Sequence, residues 1–360
     1  MTFIRSCNLK PGMILAEDLF GTRNELLLAC GQVLTTSQII KLQMADCEGV
    51  YIVDDAADIA EDTGIISKPL RHNTVNALKT LFTHVEAGNI GRQTNSLHEL
   101  RYYLDEIIDE LSANRNAISN MVDIKVFDEY TYYHCVNVAA LSILQGVTAG
   151  MNRNGLYRLG MGALLHDIGK VFIPKEIVNK PSSLTHDEYE LMKQHSMLGS
   201  DYLRKQWAMP VESIVAVLTH HERYDGGGYP LQLSAGKQTM EGKIIAICDV
   251  YDAMTSERPY RSALSPSEAI EHIMGNAGIM FDPMIIATFM KKITPYPVGS
   301  KVKLSNGLKA SVIQNNPGGL MRPVVQLIRK NEQGVHAAQE VLDLLNDPAL
   351  LNITIIGFDK

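Results

Sequence analysis

The sequence is short of several things, and each shortage removes a class of protein. It has one Trp and five cysteines, Cys7, Cys30, Cys47, Cys135 and Cys248, with no CxxC pair among them. An odd, scattered set excludes a disulfide framework and a thiolate zinc ribbon, and fits a reducing compartment. No 18 apolar residues run together, so no membrane span is expected. The opening MTFIRSCNLKPGM lacks the apolar run and small-residue cleavage site of a secretory signal, and a cytoplasmic location is the expectation. Neither internal repeat nor low-complexity tract is present. Charge is also modest: 33 Lys plus Arg against 40 Asp plus Glu give a net charge of -7, which argues against a broad footprint for nucleic-acid polymers or anionic membrane. Any phosphate binding must therefore be local. What is there, 360 residues with 46% hydrophobic and 20% charged, is enough for two or three folded domains and too apolar for disorder.

The pattern along the chain predicts a mainly α protein with small α+β and β pieces at its ends. Residues 1–62 read as a small α+β domain, because LKPGMILAEDLF, ELLLACGQVLT and GVYIVDD are short aliphatic runs punctuated by Gly and Pro, while SQIIKLQMA has helical spacing. Residues 63–115 read as connecting helices: Val75, Leu78, Leu81 and Phe82, then Leu97, Leu100, Leu104, Ile107, Ile108 and Leu111, recur every three or four positions. Those stripes could pack on a neighbouring domain or on a second subunit, so a homodimer is compatible with them. Residues 116–294 are helix after helix, an all-α domain. Residues 295–360, with an Asn-Gly turn and alternating aliphatic residues, predict a β-rich appendage.

Eleven histidines are present, and they divide unevenly. His72, His84, His98, His186, His272 and His336 lack a metal-competent or catalytic neighbour pattern and are assigned nothing. His134, His166, His195, His220 and His221 all fall within the helical domain, together with Asp167 in ALLHDIGK and Asp249 in IIAICDVYDAM. A carboxylate in an aliphatic helix costs several kcal/mol to bury unless it is paired or bound to metal, and the helix period places no Arg or Lys beside Asp249. A cation is expected there. Adjacent helical residues point about 100° apart, so neither His166 with Asp167 nor His220 with His221 chelates one ion side by side. Two adjacent pairs suit two neighbouring metals, and imidazole with carboxylate favours Fe, Mn, Zn or similar ions.

Five segments in order across about 130 residues then carry a family resemblance. HHERYDGGGYP, from His220 to Pro230, resembles without a gap the HHExxDGxGYP signature of the HD-GYP domains, and HDIGK, from His166 to Lys170, resembles their HD motif. EYTYYHCVNVA around His134, MKQHSMLG around His195 and DVYDAMTSERPYR from Asp249 to Arg261 are similar to the remaining three. Residues 1–62 resemble, more weakly, the small domain of unknown function that often precedes HD-GYP domains in bacterial proteins.

The resemblance implies a phosphodiesterase that opens the bacterial second messenger cyclic di-GMP to pGpG, with GMP as a further product. It implies one metal held by His134, His166 and Asp249, a second held by His195, His220 and His221, and Asp167 bridging the two. Fe or Mn is the expected metal, with Zn and Ni also compatible. Two ions about 3.5–4 Å apart would support in-line phosphoryl transfer by an activated water. Lys170, three residues after Asp167, would neutralise phosphate charge or deliver a proton to the leaving alcohol. Arg258 and Arg261 resemble the family's phosphate-binding basic pair, suited to bidentate contact. The loop of Asp225, Gly226, Gly228, Tyr229 and Pro230 would shape the site and face diguanylate cyclase domains. Glu222 and Asp225 are expected to orient loop or ligands, and Asp252 to accept a hydrogen bond from a ligand. Some family members bind a third metal through a Glu four residues before the first ligand histidine; Tyr130 stands there, so a binuclear centre is implied. Two other readings stay open: a noncatalytic cyclic di-GMP sensor or scaffold, and a phosphodiesterase for another cyclic dinucleotide such as cyclic GMP-AMP.

Overall fold

A computed structural model describes residues 2–16, 19–20, 26–44, 47, 49–53, 65–113, 130–256, 263–296, 298–316, 318–328 and 340–359. The chain divides into two compact units, residues 1–63 and 64–360. The first contains, in chain order, β1 (Thr2–Arg5), β2 (Ile14–Leu15), β3 (Leu19–Phe20), β4 (Leu26–Leu28), α1 (Thr36–Met44) and β5 (Gly49–Val53). β5 pairs antiparallel with both β1 and β2, and β3 pairs with β4. Val50 and Ile52, two apart in β5, bury their side chains in one core with Leu15, Leu34, and Ile39 and Leu42 of α1.

The second unit begins with α2 (Lys68–Glu86) and α3 (Ile90–Ala113). Their apolar stripes, from Val75 to Val85 and from Leu97 to Leu111, lie in the same core as the helices that follow. They are thus covered by this chain itself, at about 1.5–3 kcal/mol for each fully buried aliphatic side chain. Next come α4 (Tyr130–Thr148), α5 (Arg153–Leu165), a 3-10 turn over Ile168–Phe172, α6 (Lys175–Val178), α7 (His186–Lys193), α8 (His195–Gln206), α9 (Val211–Thr219), α10 (Met240–Thr255), α11 (Pro266–Gly275) and α12 (Pro283–Phe289). Local sequence fixes where many of these start. Asn152 caps α5 by accepting from Gly155 N, Thr185 with Glu188 and Ser265 with Glu268 form capping boxes on α7 and α11, and Thr239 caps α10.

The tail is an antiparallel sheet of β6 (Lys301–Leu304), β7 (Lys309–Gln314), β8 (Val324–Leu327), β9 (Val341–Asp343) and β10 (Ile355–Phe358), in the order β10-β6-β7-β8-β9. Val302, Leu304, Ala310, Val312, Val325 and Leu327 face its core while Lys301, Lys303 and Lys309 face water. The Asn306-Gly307 turn joins β6 to β7, with Gly307 at φ +84, a value that favours glycine. The fold is mainly α with small sheets near both ends, as the sequence pattern predicts.

Candidate metal centre

Three of the five expected histidines sit where helices stop, and that placement sets their chemistry. The last carbonyls of a helix have no partner within it. His166 follows α5 and its Nδ1 donates to Ala163 O at 2.7 Å; His220 follows α9 and its Nδ1 donates to Val217 O at 2.7 Å. His195 begins α8, and its Nδ1 donates to Met192 O in the last turn of α7, again at 2.7 Å. A carbonyl only accepts, so each Nδ1 carries the proton and each neutral ring presents a lone pair at Nε2. Every one of the three rings is almost wholly buried.

These lone pairs converge. His195 Nε2 and His220 Nε2 lie 3.2 Å apart, two acceptors facing each other in a low-dielectric interior. His166 Nε2 is buried with no hydrogen-bond partner. Both arrangements are unfavourable unless something cationic lies among them, so this donor set fits a metal ion. His195, His220 and His221 bring their ligand atoms within 4.8 Å of one another, as do His134, His166 and Asp167, and His166, His220 and Asp249. Asp167 stands between the histidines of the first two groups: its Oδ1 is 3.6 Å from His195 Nε2 and its Oδ2 is 3.5 Å from His166 Nε2.

His134 is held differently. It lies within α4, where the carbonyls are engaged in the helix, and its Nδ1 meets Asp252 Oδ2 at 2.6 Å while Nε2 meets Asp249 Oδ1 at 3.0 Å. Asn137, one turn on, donates to the other Asp252 oxygen at 3.1 Å. Asp249 and Asp252 are one turn apart on α10, which puts both carboxylates on the face turned to α4. Burial alone would lower the pKa of His134, but these two carboxylates outweigh it and push it up to about 9. Burial and neighbouring histidines hold His220 well below its ordinary value, and burial lowers His195. Burial would raise Asp167, yet Lys170 and the surrounding histidines hold it well below the usual carboxylate range. Lys170 Nζ is 2.6 Å from Asp167 Oδ2, which places the ammonium at the centre's edge.

The loop after His221 is tied down on several sides. Glu222 is buried, and its carboxylate accepts from Leu231 N at 2.6 Å and Leu233 N at 2.9 Å. Asp225 accepts from Gly227 N at 2.8 Å and pairs with Arg223. Both therefore orient the loop and neither joins the three groups. Tyr224 N and Asp225 N donate to Met280 O and Ile279 O, docking the loop on the segment after α11. At Gly228 any Cβ would lie 2.3 Å from Arg223 N, and Gly226 has φ +83, so two of the three glycines are required by close approach or backbone angle. Tyr229 lies against His221, ring centroids 4.7 Å apart, and Pro230 follows it.

Of the residues expected from sequence, all seven candidate ligands and Lys170 come together, while Arg258 and Arg261 lie outside the described residues. His84, assigned nothing, bonds Ser96 and ties α2 to α3. Sequence reasoning gave no role to Asn137, or to Gly169 and Gly199. A Cβ on Gly169 would fall 1.8 Å from His195 O, so glycine lets the 3-10 turn touch the start of α8. Both glycines stood in view, in HDIGK and HSMLG, but the need for them arises only when the two elements meet.

A family model described as an HD domain matches residues 108–285. The chain is 35% identical over 246 residues to "Cyclic di-GMP phosphodiesterase PA4108" of Pseudomonas aeruginosa, covering 67% of this chain and 59% of that protein. It is 35% identical over 195 residues to a cyclic di-GMP phosphodiesterase of Thermotoga maritima, covering 54% of this chain and 50% of the relative. It is also 34% identical over 163 residues to "3'3'-cGAMP-specific phosphodiesterase 1" of Vibrio cholerae, covering 45% and 37%. The chain thus spans about three fifths or less of the length of these relatives. Among solved structures, Bd1817, an HDG"Y"P protein from Bdellovibrio bacteriovorus, is similar in fold, with a TM-score of 0.53 at 18% identity over 80% of this chain and 97% of that one. With an HD domain over about half its length, relatives that carry the same domain, and the HHERYDGGGYP loop folded against the clustered histidines, the chain belongs to the HD-GYP family.

Proposed function

We propose that this protein hydrolyses cyclic di-GMP at a binuclear metal centre, in bacterial second-messenger signalling. The observation that carries the reading is Asp167, whose two oxygens face two different histidine groups, His195 on one side and His166 on the other. In this reading His134, His166 and Asp249 hold one ion, His195, His220 and His221 hold the other, and Asp167 bridges. Fe or Mn suits this donor set, with Zn and Ni compatible. The bound ions would supply positive charge at phosphorus and lower the pKa of a water.

The chain's own residues do the rest. The three helix-end carbonyls hold His166, His195 and His220 in the tautomer that offers Nε2 inward, and Asp252 holds His134 by Nδ1, so that its Nε2 would be offered once the proton shared with Asp249 gave way to a metal ion. Lys170, beside Asp167 at the edge of the centre, would offset phosphate charge or deliver a proton to a leaving alcohol, and Arg258 and Arg261 would bind phosphate. The product is pGpG, with GMP as a further product. Residues 116–294 form the catalytic domain, and the Asp225–Pro230 loop is the face for diguanylate cyclase domains.

The test is metal analysis of anaerobically purified protein, followed by product chromatography with cyclic di-GMP and 3'3'-cGAMP side by side. Fe- or Mn-loaded protein is expected to linearise cyclic di-GMP. Two metals bound with that substrate intact would overturn the reading in favour of a scaffold. Cleavage of 3'3'-cGAMP alone would move the protein to the activity named for its Vibrio relative.

A further inference from the structure

Rings and a cation continue outward from the metal centre. Tyr229 touches His221 at 4.7 Å between centroids, tilted by 31°. Lys193 Nζ lies 5.7 Å from the centroid of Tyr229 and 5.4 Å from that of Tyr189. Tyr189 and Lys193 are four residues apart on α7, hence on one face of it. Glu190 pairs with the same ammonium at 2.5 Å and so limits where it can swing. Tyr189 itself is 48% exposed, a large ring left open to water beside a fixed cation. The α7 capping box, Thr185 with Glu188, anchors the helix that carries all three side chains.

An open aromatic face next to a phosphodiester site suits a nucleobase, since every base has a π-face to stack. The cation then decides which base. An ammonium has donors and no acceptor. Guanine presents two acceptors, O6 and N7, on its major-groove edge, whereas adenine presents N7 beside an amino donor that an ammonium meets unfavourably. We propose that Tyr189 and Lys193 form a guanine subsite of this centre, Tyr189 stacking the base and Lys193 donating to O6 and N7. The proposal rests on the cyclic dinucleotide reading above and adds to it which residues select the base.

Titration of the metal-loaded protein with GMP and with AMP tests base choice without requiring turnover. The native protein is expected to bind GMP about tenfold more tightly, Lys193→Met to lose that preference, and Tyr189→Leu to weaken both nucleotides about tenfold. With cyclic di-GMP as substrate, both variants are expected to raise KM about tenfold while kcat stays within about twofold, with metal content by elemental analysis unchanged. Equal binding of GMP and AMP by the native protein overturns the subsite. So does a Lys193→Met variant that keeps the preference, or one that weakens both nucleotides alike, the mark of a phosphate contact. A native protein that prefers GMP but leaves cyclic di-GMP intact would end the proposed hydrolysis and keep the subsite.

Discussion

Asp252 shows how a residue outside the three candidate ligand groups can position a histidine within one of them. Its carboxylate is shared between His134 Nδ1 and Asn137, so the imidazole is both aimed and tautomerically fixed. Asp252→Ala is expected to lower metal affinity about 10–100-fold with the fold intact, read by metal content after dialysis against a chelator. Asp167→Ala goes further: with the carboxylate between two histidine groups gone, both metal occupancy and turnover are expected to be lost, and retention of both would remove Asp167 from its assigned role. The residues themselves were legible as types, because buried Asp and His in apolar surroundings demand explanation. Their partners were not. The proton on Nδ1 of His166, His195 and His220 depends on which carbonyls are left over at a helix end, a fact of three dimensions that spacing alone does not contain.

At the scale of elements, close approach and capping decide what can be changed. Gly169→Ala forces the 3-10 turn away from α8, because the new methyl would overlap the His195 carbonyl. A loss of about 1–3 kcal/mol in denaturant unfolding is expected, together with reduced metal content, since Asp167 and His195 would separate. Asp282 plays a quieter part, capping α12 through Met284 N at 2.9 Å and joining it to α10 through Lys243 Nζ at 2.9 Å. Burial would raise its pKa, but Lys243 and the backbone donors outweigh that and lower it. A carboxylate lowered on folding stabilises the native state above its unfolded pKa and loses that contribution as pH falls through the folded value. Asp282→Asn is therefore expected to cost about 1 kcal/mol at neutral pH, with the gap to the native protein closing below about pH 4, measured by denaturant unfolding across pH. Helical periodicity made α2 and α3 visible in the sequence, down to the residues of each stripe. It could not say what covers them, because a stripe of leucines fits any apolar neighbour equally well.

For the whole molecule, the division at residue 63 makes a further expectation concrete. The core from Ile65 to Ile293 is built entirely within the second unit, and the tail sheet is tied to it by Thr294 Oγ1 donating to Asn315 at 3.0 Å. A chain beginning at residue 64 is expected to unfold cooperatively and to bind metal as the full chain does, checked by thermal unfolding and elemental analysis. Loss of either would mean that residues 1–63 take part in building the centre.

The histidines that borrow helix-end carbonyls also tie the order of the site to the order of the helices. The last turn of a helix ordinarily frays at little cost. Here, opening the final turns of α5, α7 or α9 would release His166, His195 or His220 from the backbone atom that aims it. An occupied centre should act as a clasp on three chain segments at once. Amide hydrogen exchange in those turns is expected to slow on metal loading, while the tail sheet, far along the chain, keeps its rate.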